Sequence, residues 1–358
     1  MSPPQPVHGR GAQSGAVPQR FGLAAREADG DWLDDAAAID GPAPKLRTTV
    51  TEECPRTILS FNKSPDVPFD RSLNAYRGCE HGCILLRAAD PRLHDLSPGI
   101  DFETRLFAKP DAPRLLRETL SRPSYKCAPI AMGTNTDPYQ PIEDRYRITR
   151  QVLEICLEAR HPVTVTTKSA RVVRDLDVLV ELARLGLTHV GISVTSLDPR
   201  LSGLLEPRAS APAKRLDALA RLAAAGVPVH VSIAPVIPAI TDEFMEHILA
   251  EAAARGVPSA SWIMLRLPHE VAPLFREWLA AHYPERAGKV MAIVRSVRGG
   301  KDNDAKWFTR MKPQGVWADL FRTRFRLACR RHGMNKLRIA LDTSQFRRPG
   351  PDGQLSLL

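Results

Sequence analysis

The sequence predicts an α/β protein built as a partial (β/α)6 barrel. Three observations predict it: short runs rich in Val, Ile and Thr recur six times at intervals of about 30 to 35 residues, a helical pattern follows each, and the runs are apolar almost without interruption. Near-continuous apolarity means strands covered on both faces. Strand and helix alternating at that spacing mean parallel strands joined by right-handed crossovers. Eight such units close a full barrel and six leave it open, with functional groups expected where strands end and loops begin. A doubly wound open sheet is the alternative on the same pattern.

Taken in order, the strands are Ser72 to Arg77, Ala128 to Gly133, Val163 to Thr167, His189 to Thr195, Val227 to Ala234 and Ser261 to Leu265. Helical patterns cover about 111–121, 142–160, 172–185, 211–225, 241–255 and 271–298, and a further helix over about 313–332 is placed to close one side. Gly186 and Gly226 sit at or just past helix ends, where a left-handed residue is favoured. Asp175 and Thr241-Asp242 suit helix starts as caps.

Residues 1–47 mix Pro, Gly, Gln, Ala and Asp without a lasting period and read as a disordered leader. The barrel core then spans 48–300, a helical extension packed on it 301–346, and a flexible tail 347–358. Among 358 residues, 43% are apolar and 25% charged, the balance of an ordinary globular protein. A net charge of +10 favours polyanions such as nucleic acid. No stretch approaches the 18 or so apolar residues of a membrane span, and no export signal is evident, so a cytoplasmic location is expected. Six Cys, at 54, 79, 83, 127, 156 and 329, then read as reduced thiols serving packing, metal binding or chemistry. Cys127, Cys156 and Cys329 lie in apolar contexts and suit the core.

The most informative segment is Tyr76-Arg77-Gly78-Cys79-Glu80-His81-Gly82-Cys83-Ile84, right after the first strand. Two Cys four apart, with Gly78 and Gly82 letting the backbone fold tightly, suit thiolates converging on iron or zinc. A zinc hydrolase using Cys79, Cys83 and His81 is one reading of these residues.

Arg71-Ser72-Leu73-Asn74-Ala75-Tyr76-Arg77-Gly78-Cys79-Glu80-His81-Gly82-Cys83 resembles the start of the CxxxCxxC loop of radical S-adenosylmethionine (SAM) enzymes, in the branch related to spore photoproduct lyase and DNA repair photolyase-like proteins. Leu96 to Thr104, Gly133 to Glu143 and Thr166-Thr167-Lys168-Ser169 extend the resemblance, which covers roughly 50–346. It implies a radical SAM partial barrel in which Cys79 and Cys83 hold two irons of a [4Fe-4S] cluster and an electron donor reduces that cluster. One electron then cleaves SAM to a 5′-deoxyadenosyl radical that takes a hydrogen atom from substrate, with the cofactor supplying the difficult step. Thr134 and Asn135, with Asp137 beside them, follow the second strand, where this superfamily places groups around the SAM amine. Lys168 closes the third strand and could meet the SAM carboxylate, and Ser193 and Ser196 could reach ribose hydroxyls.

The third ligand is missing, because Leu86 stands where the family has Cys in Ile-Tyr-Cys-Phe-Ala-Arg-Pro, and leucine cannot coordinate iron. With 39 Arg against 11 Lys and abundant Ala and Pro, the gene reads as rich in G and C. A family-like Tyr-Cys-Phe-Ala-Arg-Pro-Thr-His-Ala-Tyr written in such codons becomes Leu-Leu-Arg-Ala-Ala-Asp-Pro-Arg-Leu on loss of two bases, which is residues 85–93. Loss of one more base restores the frame at His94-Asp95. The stretch therefore reads as a compensated frameshift, which resequencing tests, and the chain as written as impaired in cluster assembly. A non-catalytic DNA- or clamp-associated protein retaining the fold is the alternative.

Two partner readings remain. Arg295 to Lys312 and Arg322 to Arg331, with Trp307, Phe308 and Trp317 interleaved, suit nucleic acid through phosphate contact and base stacking. The terminal Gln354-Leu355-Ser356-Leu357-Leu358 resembles the short peptide that docks on the bacterial sliding clamp, with spaced apolar anchors for a pocket.

Overall fold

The computed structural model describes residues 10–13, 47–85, 99–337 and 339–350. Among these residues ten strands run in chain order: β1 (Thr49–Glu52), β2 (Leu59–Phe61), β3 (Arg71–Leu73), β4 (Tyr76–Arg77), β5 (Arg105–Ala108), β6 (Ile130–Met132), β7 (Val163–Thr167), β8 (Thr188–Ser193), β9 (Val229–Val236) and β10 (Ala260–Met264). Seven form one sheet in the order β10-β9-β8-β7-β6-β3-β2. Within it β3, β6, β7, β8, β9 and β10 are parallel, and β2 alone pairs antiparallel, with β3. Six parallel strands in sequence order, each followed by helix, make the open partial barrel that the repeat predicts, and the doubly wound order is excluded.

Buried Val and Ile side chains of β7, β8 and β9 meet the apolar faces of the helices Ile148–Glu158, Leu176–Arg184 and Pro212–Ala224 in one continuous core. A second cluster forms around Trp278 and Phe275 on the helix Val271–His282, stacked at 5.9 Å, with Trp278 Nε1 donating to Leu204 O. The helix Val316–Arg331 covers β10 through Phe321, whose ring meets that of Trp262 edge-on at 4.8 Å.

Local features depart from the periodic reading where no pattern exists to read. The first strand breaks at Asn74: β3 stays in the main sheet, while β4 joins β5 and β1 in a separate three-stranded sheet. The pattern over 142–160 is two helices, Glu143–Tyr146 and Ile148–Glu158, divided at Arg147, which takes a left-handed φ of 50°. The pattern over 271–298 divides at Pro284, which opens a new helix at its first position. Asp175 makes no side-chain cap, its carboxylate being occupied by Arg174, and the Thr241 hydroxyl instead accepts from Ile237 N, 2.7 Å.

Both flanks contain ordered contacts. Residues 10–12 are buried against the loop after β4 although the composition reads as leader. Residues 342–349 run across the N-terminal ends of the strands, Asp342 N donating to Gly186 O (3.1 Å), Arg347 N to Ala159 O (2.8 Å) and Ser121 Oγ to Pro349 O (2.8 Å). The clamp-like peptide, the Leu86 position and nearly all of the stretch 85–93 lie outside the described residues. Among the described residues no helix is long and apolar enough to cross a membrane.

Candidate functional site

The strands of a parallel barrel point their C-terminal ends at one face, and there the loop 78–83 meets the ends of β6, β7 and β8. Cys79, His81, Cys83, Phe102, residues 133–137, Thr166, Thr167, Lys168 and Ser193 line one cavity of about 450 Å³, part of it open to solvent. Cys79 and Cys83 from that loop, Thr134 after β6 and Lys168 after β7 thus share one pocket, with Asn135 and Ser193 at its wall.

The loop owes its shape to backbone that only glycine adopts easily. Gly78 and Gly82 have φ of 74° and 67°, and a Cβ on Gly78 would fall 2.9 Å from Phe102 O. Cys79 N donates to Phe102 O at 2.8 Å. Gln140 is fully buried and spans the loop, its Oε1 accepting from Glu80 N (2.9 Å) and its Nε2 donating to Gly78 O (3.2 Å). Burial pushes the Cys79 thiol up to about 12, with Asp137 adding to the effect, and burial together with Glu206 pushes Cys83 well above the ordinary thiol value. A cation bound between them would hold both as thiolates.

Opposite the loop, Asp137 organises the strand ends. Its carboxylate accepts from Thr167 Oγ1 (2.6 Å), Lys168 N (2.7 Å) and Tyr139 N (2.8 Å). Burial alone would raise this carboxyl, but the facing His81 and the hydrogen bonds from Thr167 and Lys168 N hold it below its ordinary value. His81 Nδ1 lies 3.3 Å from Asp137 Oδ2 without hydrogen-bond alignment, and Nε2 has no partner among the described residues although the ring is fully buried. Thr134 Oγ1 exchanges contacts with the Asn74 side chain (3.2 Å), and Asn135 is exposed at the cavity rim with its N–H on Asn74 Oδ1.

Sequence reasoning missed what holds Lys168. Its ammonium is 2.6 Å from Glu206 Oε1 and donates to Ala234 O (3.1 Å), while Arg215 Nη2 lies 2.5 Å from the other Glu206 oxygen. All three side chains are buried. Burial would raise the Glu206 carboxyl, but Arg215 and Lys168 outweigh it and bring it to about 2. The Ser193 carbonyl accepts from Arg215 Nη1 at 3.0 Å. Ser196 is not at the cavity wall, and its hydroxyl accepts from Asp198 N (2.9 Å) in a turn. No spacing signal marks Glu206 or Arg215: both follow β8, Glu206 at the end of the helix Pro199–Leu205 and Arg215 in the first turn of the helix Pro212–Ala224.

Cys79 and Cys83 would supply two of the three thiolates of the cluster that the sequence resemblance implies. With Leu86 at the third position, the donor set does not complete it. Among the described residues no group of three His, Cys, Asp or Glu side chains is placed to hold one metal ion.

A model of the radical SAM superfamily matches residues 110–252. An uncharacterized protein of Mycobacterium bovis is 33% identical over 242 residues, 66% of this chain and 71% of that one. The chain belongs to the radical SAM superfamily. A second relative of this radical SAM protein, an uncharacterized protein of Methanocaldococcus jannaschii, is 29% identical over 157 residues, 44% of this chain and 57% of its own. Among solved structures, a cysteine-to-serine mutant of spore photoproduct lyase superposes with a TM-score of 0.56 at 15% identity, covering 85% of this chain and 93% of that one. A double mutant of the same lyase with bound AdoMet and dinucleoside spore photoproduct gives 0.56 at 14%, with the same coverage. At such identity these structures establish the fold alone, a TIM-barrel-like architecture; it is membership of the radical SAM superfamily that implies SAM and an iron-sulfur cluster as cofactors.

Proposed function

We propose that this chain is a radical SAM enzyme whose pocket takes SAM and whose substrate is nucleic acid, with cluster assembly impaired in this form by Leu86. The observation that carries the reading is the convergence of Cys79 and Cys83 on the same cavity as Thr134, Asn135, Lys168 and Ser193. In it the Asn135 side chain and Thr134 hydroxyl would serve the SAM amine, and Ser193, at the end of β8, would serve the ribose. Lys168 is already paired with Glu206, so it would meet a SAM carboxylate only by sharing its ammonium between two acids.

The nucleic-acid reading draws support from the lyase structure with bound dinucleoside spore photoproduct and from two exposed aromatic side chains, Trp307 (56% exposed) and Phe308 (62%), beside Lys306 and Lys312. Trp317 leaves that group, because it stacks on Phe321 at 5.3 Å. Docking on a sliding clamp through Gln354, Leu355, Ser356, Leu357 and Leu358 is part of the same proposal, tested by whether removing these five residues abolishes binding to purified clamp.

Anaerobic reconstitution with iron and sulfide is the experiment. Leu86→Cys should take up about four irons per chain, absorb near 400 nm and release 5′-deoxyadenosine from SAM under a strong reductant, while the unaltered chain takes up far less. A variant as poor in iron as its parent would overturn the reading. Leu86 itself favours a second reading, a non-catalytic binding protein on the same fold. Tight DNA or clamp binding by both forms, with no 5′-deoxyadenosine from either, would establish it.

A further inference from the structure

The buried segment 10–13 raises a question that its composition does not. Gly11 N and Ala12 N both donate to the Glu103 carboxylate, at 3.2 and 2.8 Å, and Glu103 and Ala12 are fully buried. Arg10 donates to Glu103 O (3.2 Å) and to Thr48 Oγ1 (3.4 Å), and Thr48 in turn donates to Glu80 Oε1 (3.0 Å). Glu80 lies between Cys79 and His81 and also pairs with Arg208, whose N–H donates to His81 O (3.1 Å). The segment presses directly on the cysteine loop. A Cβ on Gly11 would stand 1.8 Å from Gly82 O and 3.2 Å from Ile84 N, and a Cβ on Gly82 would stand 2.7 Å from Glu103 Oε2. Backbone of residue 11, carboxylate of residue 103 and backbone of residues 82–84 are therefore stacked with no room for one methyl group between them.

We propose that residues 10–13 are a structural wall of the cysteine loop, with Gly11 and Glu103 as positioning residues that hold the Gly82–Ile84 backbone and through it the Cys83 thiol. Without the wall, Glu103 becomes a buried carboxylate short of two donors, and the loop loses the surface that Gly82 rests on. The chemistry of the segment is matched to that task. Gly at position 11 permits the close approach, and two successive amides donate to one carboxylate.

The test reads thiol reactivity in the metal-free full chain, by iodoacetamide labelling and peptide mapping. Gly11→Ala cannot keep the contact with Gly82 O, so Cys79 and Cys83 should label about tenfold faster, while Cys156, fully buried at the opposite end of the barrel, keeps its rate. Gly288→Ala is the control, since nothing lies within 4 Å of a Cβ there, and it should change none of the rates. In the Leu86→Cys background, Gly11→Ala should also lower iron uptake at least about twofold, since a loosened loop presents its ligands less often. Labelling of Cys79 and Cys83 that stays within about twofold of the parent overturns the proposal. Should Gly11→Ala expose Cys156 as well, Glu103→Gln, which keeps the shape and removes the charge, decides by the same comparison of Cys83 with Cys156. Failure here leaves the SAM reading standing, because iron uptake by Leu86→Cys alone tests that one.

Discussion

The two ends of the barrel bury their polar groups by opposite means. At the C-terminal strand ends Glu206 is ion-paired with Lys168 and Arg215, and the Asp137 carboxylate faces His81. At the N-terminal ends two buried histidines are neutral, with Arg71 held by Asp70 nearby. His161 sits between the Tyr125 hydroxyl (2.8 Å) and Pro162 O (2.9 Å), and His230 between the hydroxyls of Ser259 and Ser261. Burial lowers both histidines to about 4, with Arg71 adding to the effect at His161 and His189 at His230. One end thus holds fixed charge in readiness for an ionic ligand, and the other is a packed base whose polar atoms only have to be satisfied.

Removing one charge from the paired end breaks the contrast most severely. Glu206→Gln leaves Lys168 and Arg215 buried side by side with no counter-ion, and should cost about 3–5 kcal/mol of unfolding free energy in urea. A cost no larger than that of an exposed substitution would show that water, not Glu206, screens the two cations.

Acid should separate the two ends by pH. A histidine lowered on folding contributes stability that is complete above its unfolded value of 6.5 and is lost as pH falls toward 4, so His161 and His230 together set a first decline in that window, up to about 3 kcal/mol each. A carboxylate lowered on folding contributes above its unfolded value of 4.5 and is lost as pH falls through its folded one, so Glu206 sets a second decline between 4.5 and about 2. Urea midpoints measured from pH 7 to pH 3 should therefore fall in two steps. His161→Gln should shrink the first and leave the second, whereas a single step below 4.5 would mean the histidines are wet.

The sequence shows the barrel because a barrel is periodic. Val163–Thr167 is legible to the residue, since its Val-Thr-Val-Thr-Thr run is long enough to alternate burial, and the other parallel strands from β6 onward are legible to within two or three residues at an end. The small sheet of β1, β4 and β5 is not, because strands of two to four residues carry no period. In the site, Cys79, Cys83, Thr134, Asn135, Lys168 and Ser193 are legible as strand-end residues. Their supports are not: Glu206 lies 38 residues from Lys168 and Glu103 lies 92 from Gly11 along the chain, and a pairing of charge or amide at that distance leaves no local trace. Gln140 and Asp137 sit inside a motif that the sequence does flag, yet what marks them there is a turn composition, which names no partner for either.

The mildest comparison of the two ends uses the strap across the base. Phe346 is half-buried, its ring 5.6 Å from that of Tyr125 and 5.4 Å from that of His161, where it meets the imidazole edge-on. Truncation by Phe346→Ala forfeits these contacts and admits more water to the Tyr125–His161 hydrogen bond, a loss of about 2 kcal/mol, less than a full core phenylalanine costs because part of the ring already meets solvent. Water reaching His161 also lets the imidazole charge more easily, so the variant's first acid decline should shrink although its stability at pH 7 is lower. The cysteine loop is a barrel's length away and shares no partner with Phe346, so labelling of Cys79 and Cys83 should not change. If it does, the ends are coupled through the strands, and the charged pairs at the mouth are set by packing at the base rather than by their own partners.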